Sequence, residues 1–163
     1  MASNYSLELE LPAESFLEAE AKVSQAIRRV LRRSAAWLRT ESIKRLSKQL
    51  NIKQSALKNR FNVRILRKGN VANIWVGIMP LSAINAGAAK QDDKGVSVRG
   101  NFYRNAFLQT INGEYAIWKR EGKKRYPVKK QTIDFSADVI AITKQLESEL
   151  NRKFNNWLRE ALA

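Results

Sequence analysis

Seven cations, Lys119, Arg120, Lys123, Lys124, Arg125, Lys129 and Lys130, crowd one short stretch of the chain, with Trp118 and Tyr126 among them. Ammonium and guanidinium groups at this density do charge-recognition chemistry: they hold phosphate or carboxylate oxygens without changing them, and phosphate contacts position a nucleic acid without reading its bases. Nothing in the pattern suggests a helix aimed into a groove. The same composition has a second reading, in which the two rings pack at a strand edge and the lysines keep that edge from pairing with other chains.

Other chemistries are poorly supplied. With no cysteine and no histidine in 163 residues, the chain lacks disulfides, thiolate metal sites, Cys or His nucleophile systems and the usual imidazole base. The glycines form neither a phosphate-binding loop nor a dinucleotide fingerprint. Asp92-Asp93 with Glu114 or Glu121 could be drawn as a magnesium site, but adjacent aspartates in a polar stretch read better as solvated side chains. The expectation is a protein with no catalytic residues, no metal and no cofactor. The net charge of +15 sharpens the partner class, because residues 1–20 hold five glutamates and no cation, leaving 30 basic against 10 acidic residues in the remainder. Nucleic acid, an acidic protein surface or plain solubility each account for that balance.

The elements that must carry these cations follow from periodicity. Asn112-Gly113 separates two apolar-rich runs, Ala106–Ile111 and Glu114–Lys119, and predicts a two-residue hairpin. A second reversal begins at Glu121-Gly122, and Arg125–Lys130 returns as an edge strand in which Pro127 fits because it cannot donate to a ladder. The result is a three-strand meander with a basic loop at one end. Tyr5–Leu11 alternates as a strand closed by Pro12. From about Ala13 apolar residues recur every three or four positions (Phe16, Ala19, Val23, Ile27, Val30 or Leu31, Ala35, Leu38), and Ile43, Leu46 and Leu50 extend the stripe, which predicts a helix reaching Gln49, with or without a break near Thr40. Its other face holds Arg28, Arg29, Arg32, Arg33, Arg39, Lys44, Arg45 and Lys48.

Asn51–Leu57 reads as a linker with a short helical turn. A second hairpin runs from Phe61–Ile65 to Ile74–Ile78 about Gly69-Asn70. Leu81–Gly95, rich in small residues, reads as a mobile loop, and Val96 and Val98 restart an extended pattern. A last helix, Ser136–Leu162, is capped by Asp134 or Ser136 and carries Ile142, Leu146, Leu150, Phe154 and Trp157 at near-heptad spacing. That stripe serves either core packing or a subunit interface. The fold class is α+β: one domain over residues 1–163, with an antiparallel sheet of about five or six strands packed by long N-terminal and C-terminal helices.

In order and spacing these features resemble the minor tail protein Z family of tailed phages and prophages, also described as tail completion proteins. The resemblance covers roughly residues 20–135. It is carried by Arg39-Thr40 in the helix, by Pro80-Leu81 with the following loop and Gly95-Val96-Ser97-Val98, and by the aromatic-basic segment ending Arg125-Tyr126-Pro127-Val128, where the family has Arg-Leu-Pro-Ile. It implies a virion structural protein at the head-proximal end of the tail, assembled in the host cytoplasm, with no membrane. The implied partners are the tail terminator, the head-tail joining proteins, a homo-oligomeric ring that is hexameric by analogy, and packaged double-stranded DNA. On this reading Lys119, Arg120, Lys123, Lys124, Arg125, Lys129, Lys130, Arg28 and Arg32 contact DNA or an acidic partner, and Leu146, Leu150, Phe154 and Trp157 face another subunit. The rival is a stand-alone, non-sequence-specific nucleic-acid-binding protein using the same surface.

Overall fold

The structure, a computed structural model, describes residues 4–9, 20–66 and 70–163. The periodicity of the first helix is realised as α1, Glu20–Gln49, an unbroken rod about 45 Å long at 1.5 Å per residue. Ile27, Val30, Leu31, Ala35, Leu38, Ile43 and Leu46 are buried along one side. Thr40 does not break it, because its hydroxyl donates to the Ala36 carbonyl oxygen (2.8 Å) within the same turn. Asn51 ends it: at φ 52° it takes the left-handed position past the helix terminus, and the Ile52 N–H reaches back to the Ser47 carbonyl oxygen (3.1 Å). The expected start near Ala13, with Phe16 and Ala19, lies outside the described residues, as do Glu10 to Pro12.

A short helix α2, Gln54–Lys58, follows. The last helix, α3, spans Ser136–Leu162 as its spacing predicts. Asp134, one residue ahead of Phe135, starts it by accepting from the Ser136 N–H (2.9 Å) and hydroxyl (2.8 Å), and these hydrogen bonds hold its carboxyl below the usual aspartate range. Because that pKa is depressed, the contribution is present above the unfolded value and is lost as pH falls through the folded one. Val139, Ile142, Leu146, Leu150 and Phe154 are buried. The two long helices pack antiparallel, with Arg45 meeting Glu149 at 2.8 Å and Arg33 meeting Glu160 at 3.3 Å. The exposed Arg33–Glu160 pair and the partly buried Arg45–Glu149 pair are worth about 1 kcal/mol each, so the apolar seam between the helices supplies most of the adhesion.

The expected single sheet of five or six strands is not what forms. Eleven described strands make four small antiparallel sheets. The first joins β1 (Asn4–Leu9), β2 (Phe61–Ile65) and β3 (Ala72–Gly77) in the order β1-β3-β2. Its register sets Leu7 opposite Ile74 and Phe61 opposite Val76. Residues 67–69 of the expected Gly69-Asn70 turn lie outside the description, but the Leu66 N–H donates to the Val71 carbonyl oxygen (2.9 Å), so the hairpin closes there. A two-stranded sheet pairs β4 (Leu81–Ser82) with β11 (Thr132–Ile133), and a third holds β5 (Ala89–Asp92), β6 (Gly95–Val98) and β7 (Asn101–Arg104). The fourth is the predicted meander: β8 (Ala106–Ile111), β9 (Glu114–Arg120) and β10 (Val128–Lys130), in the order β10-β9-β8. Alternation reports which side of a strand is buried, not which strand lies beside it. Left-handed residues at Arg99, Gly100 and Asn105 turn the chain between consecutive strands.

The expected mobile loop at Leu81–Gly95 is likewise ordered. Two of its alanines are small because they are enclosed: Ala83 and Ala86 are fully buried in a single 3-10 turn, Ala83–Ala86, whose last carbonyl oxygen accepts from the Lys53 N–H (2.8 Å). Asp92 closes the β5–β6 hairpin by accepting from the N–H groups of Lys94 (2.8 Å) and Gly95 (2.9 Å). Gly95 must be glycine there, since its φ is +156° and a Cβ would run into the Tyr103 carbonyl oxygen. Gly95→Ala is therefore expected to cost roughly 1–3 kcal/mol, read as a lower thermal midpoint. A variant melting with the wild type would show that the hairpin shifts freely.

Candidate basic and aromatic surface

The meander presents the cations through three features of its backbone. Asn112 and Gly113, at φ 52° and 79°, form the tight β8–β9 turn that the sequence requires. Register then fixes what shares a face. Lys119 stands opposite Lys129, and Arg120 opposite Val128. Glu121–Pro127 leaves the sheet as a loop pinched at its base by the Glu121 N–H donating to the Pro127 carbonyl oxygen (3.1 Å).

Every residue of that loop is exposed, Lys123, Lys124 and Arg125 among them. Between the loop and the outer face of β8 and β9 lies a cleft of about 320 Å³, bordered by Phe107, Ile111, Arg120, Arg125, Tyr126 and Val128. The Arg120 guanidinium lies 5.5 Å from the Phe107 ring centre and the Arg125 guanidinium 5.8 Å from that of Tyr126, contacts that orient both cations without neutralising them. Lys130 is set apart by an ion pair to Glu114 (2.8 Å). Among the described residues Lys119, Lys123, Lys124 and Lys129 make no ion pair. A like-charged pair directly across two strands is unfavourable by itself, by about 1 kcal/mol at most in water, and an anion bound between Lys119 and Lys129 reverses its sign. The arrangement can bind phosphate or carboxylate oxygens at several points and offers rings beside them.

The aromatic pair divides. The Trp118 indole N–H donates to the Gln109 carbonyl oxygen (2.9 Å) across the hairpin, so this ring braces the sheet. Tyr126 is 60% exposed at the loop's end. Phe107 stands outside the run of cations and gives no signal there, although the alternation Phe107, Gln109, Ile111 on the face away from Leu108 points to it.

The remaining expected contacts stand elsewhere. Arg28 and Arg32 are exposed on α1, and Arg32 borders a separate groove of about 400 Å³ between α1 and β2. Arg39, grouped in the sequence with the solvated cations, is a structural clamp: its Nε donates to the Phe61 carbonyl oxygen (3.0 Å) and an Nη to that of Lys58 (2.9 Å). Arg39→Ala is expected to cost about 1–3 kcal/mol, seen as a lower urea midpoint at unchanged slope. An unchanged midpoint would make the clamp dispensable.

The four residues expected at a subunit interface are also redistributed. Leu146, Leu150 and Phe154 are 0%, 1% and 7% exposed within this one chain, where α1 covers them, so they are its own core and offer no face to a neighbour. Trp157 is half-buried, with the Arg33 guanidinium 4.4 Å from its ring centre. No three acidic side chains stand together as a metal site among the described residues, and none of the described helices is long and apolar enough to cross a membrane.

No curated protein and no solved structure matches the chain. A protein family does, over residues 16–163, which takes in α1, the meander and α3 entire. The two helices, the exposed basic loop and that match agree: this chain belongs to the prophage minor tail protein Z family and is a structural component of a phage tail.

Proposed function

We propose that the protein completes the head-proximal end of the tail, as a non-catalytic ring subunit that joins the tail to the head and steadies the DNA end there. The ring is hexameric by analogy with the tail. Its neighbours on this reading are the tail terminator and the head-tail joining proteins. The observation that carries the proposal is the set of cations without an ion pair on and beside the Glu121–Pro127 loop, in a chain whose residues 21–163 carry 30 basic against 10 acidic side chains. Packaged DNA and acidic protein rings both present oxygen anions at close spacing, and both would relieve the crowding of Lys119 against Lys129.

Electron microscopy of a lysate lacking this gene, with a count of infectious particles, tests the role. Unjoined or defective tails, or joined particles of low infectivity, are expected. Normal particles at normal titre would remove the role in tail completion and leave the basic surface to a stand-alone nucleic-acid-binding protein.

A further inference from the structure

Among the described residues no further strand pairs with either side of the β1-β3-β2 sheet. Ladder bonds alternate along an antiparallel pair, and the Gly77 N–H donating to the Arg60 carbonyl oxygen (2.8 Å) and the Leu66 N–H to that of Val71 fix their phase. Asn62 and Arg64 therefore bond inward to β3, while Val63 and Ile65 turn their N–H and C=O groups outward. By the same count Ser6 and Glu8 turn theirs outward on β1 at the opposite side. The outward Phe61 oxygen of β2 accepts from the Arg39 clamp.

Beside that open edge runs the groove between α1 and β2. Half-buried Val63 and Ile65 form one wall, and Arg32, Ala36 and Arg39 the other. A groove with outward backbone donors and acceptors on one side and the exposed Arg32 on the other fits an extended, acidic, alternating segment. The chain contains such a segment in its own β1, NYSLEL, within the stretch of residues 1–20 that has glutamates and no cation.

We propose that β1 of a second copy pairs with the open edge of β2, so that one sheet continues from copy to copy. Both strands are antiparallel to β3 and so run the same way across the sheet. A rotation about an axis along the strands then joins β2 to the next β1 as a parallel pair. The two surfaces differ, so the contact is heterologous, and repeating it gives a ring where the rotation closes and a filament where it does not. The register that keeps the core faces together sets Val63 beside Leu7 of the second copy and Arg64 beside Glu8 of the second copy. This deepens the ring reading above, on which it rests, by naming the surface through which the ring forms.

Native mass spectrometry of the full chain over a concentration series, on the wild type and two kinds of variant, tests both levels separately. Val63→Pro removes an outward N–H and no β2–β3 bond, so it is expected to fold and to stay monomeric. Arg64→Glu and Glu8→Arg are each expected to weaken assembly about tenfold, and the double reversal to restore it to within about threefold. Circular dichroism reports whether Val63→Pro is folded, and if it is not, the charge reversals alone decide. A wild type that is monomeric throughout overturns both the ring and this interface. Assembly of the wild type that a folded Val63→Pro and the single reversals leave unchanged overturns the edge pairing while the ring reading stands.

Discussion

Leu146→Asp is expected to leave no cooperatively folded protein at 25 °C. Leu146 is fully buried at the centre of the α1–α3 seam, so removing its side chain alone costs about 2–5 kcal/mol in transfer energy and cavity. A carboxylate in the same place adds several kcal/mol, since no described cation is buried there to pair with it. The sum reaches the whole stability of an ordinary domain, about 5–15 kcal/mol. Leu150→Asp should behave alike, whereas Leu146→Ala should lower the midpoint of a urea titration and retain a transition. Glu147→Ala, one residue along on the exposed side, should stay within about 0.5 kcal/mol of wild type. Far-UV circular dichroism with urea titration distinguishes these results. A soluble Leu146→Asp variant melting near the wild type would mean that the helices do not pack through this stripe.

The second large effect is expected on binding and not on folding. Replacing Lys123, Lys124 and Arg125 with alanine touches side chains that are exposed and carry no described ion pair, so the thermal midpoint should hold. If the loop meets phosphates, duplex affinity falls, and the slope of log affinity against log salt becomes shallower by about 2.7, roughly 0.9 for each phosphate that is no longer neutralised. Infectivity should fall in parallel. An unchanged salt slope with a drop in infectivity would assign the loop to an acidic protein neighbour. Wild-type slope and wild-type titre together would show that the three cations serve only to keep the loop soluble.

Where a feature depends on a few consecutive residues, the chain is directly legible. Asn112-Gly113 specifies its turn because few other pairs tolerate two successive left-handed conformations, and Asp134 with the stripe from Ile142 to Trp157 marks α3. The cations of the meander are visible for the same reason, being neighbours in sequence before they are neighbours in space. Leu81–Gly95 is not legible in this way, because a run of alanines and glycines looks the same whether it is free in solvent or small enough to fit beneath other elements. Nor is Arg39, because a helical wheel shows the side from which a guanidinium leaves α1 but not the carbonyl oxygens of Lys58 and Phe61 that wait for it there.

The sequence by itself determined the two long helices, the strands of the meander and of the Phe61–Ile65 hairpin, the turn it marked with Asn112-Gly113, the basic character of the loop and the family. Each of these follows from local dihedral preference, apolar period, charge density or the order of short motifs. Only the tertiary structure decided that the described strands divide among four sheets, that Leu146, Leu150 and Phe154 face inward, and that β2 lies at the side of its sheet with the backbone groups of Val63 and Ile65 turned away from β3. Those outcomes depend on which buried surfaces meet across long sequence separations, and there periodicity tells each element which side to hide but not what will cover it.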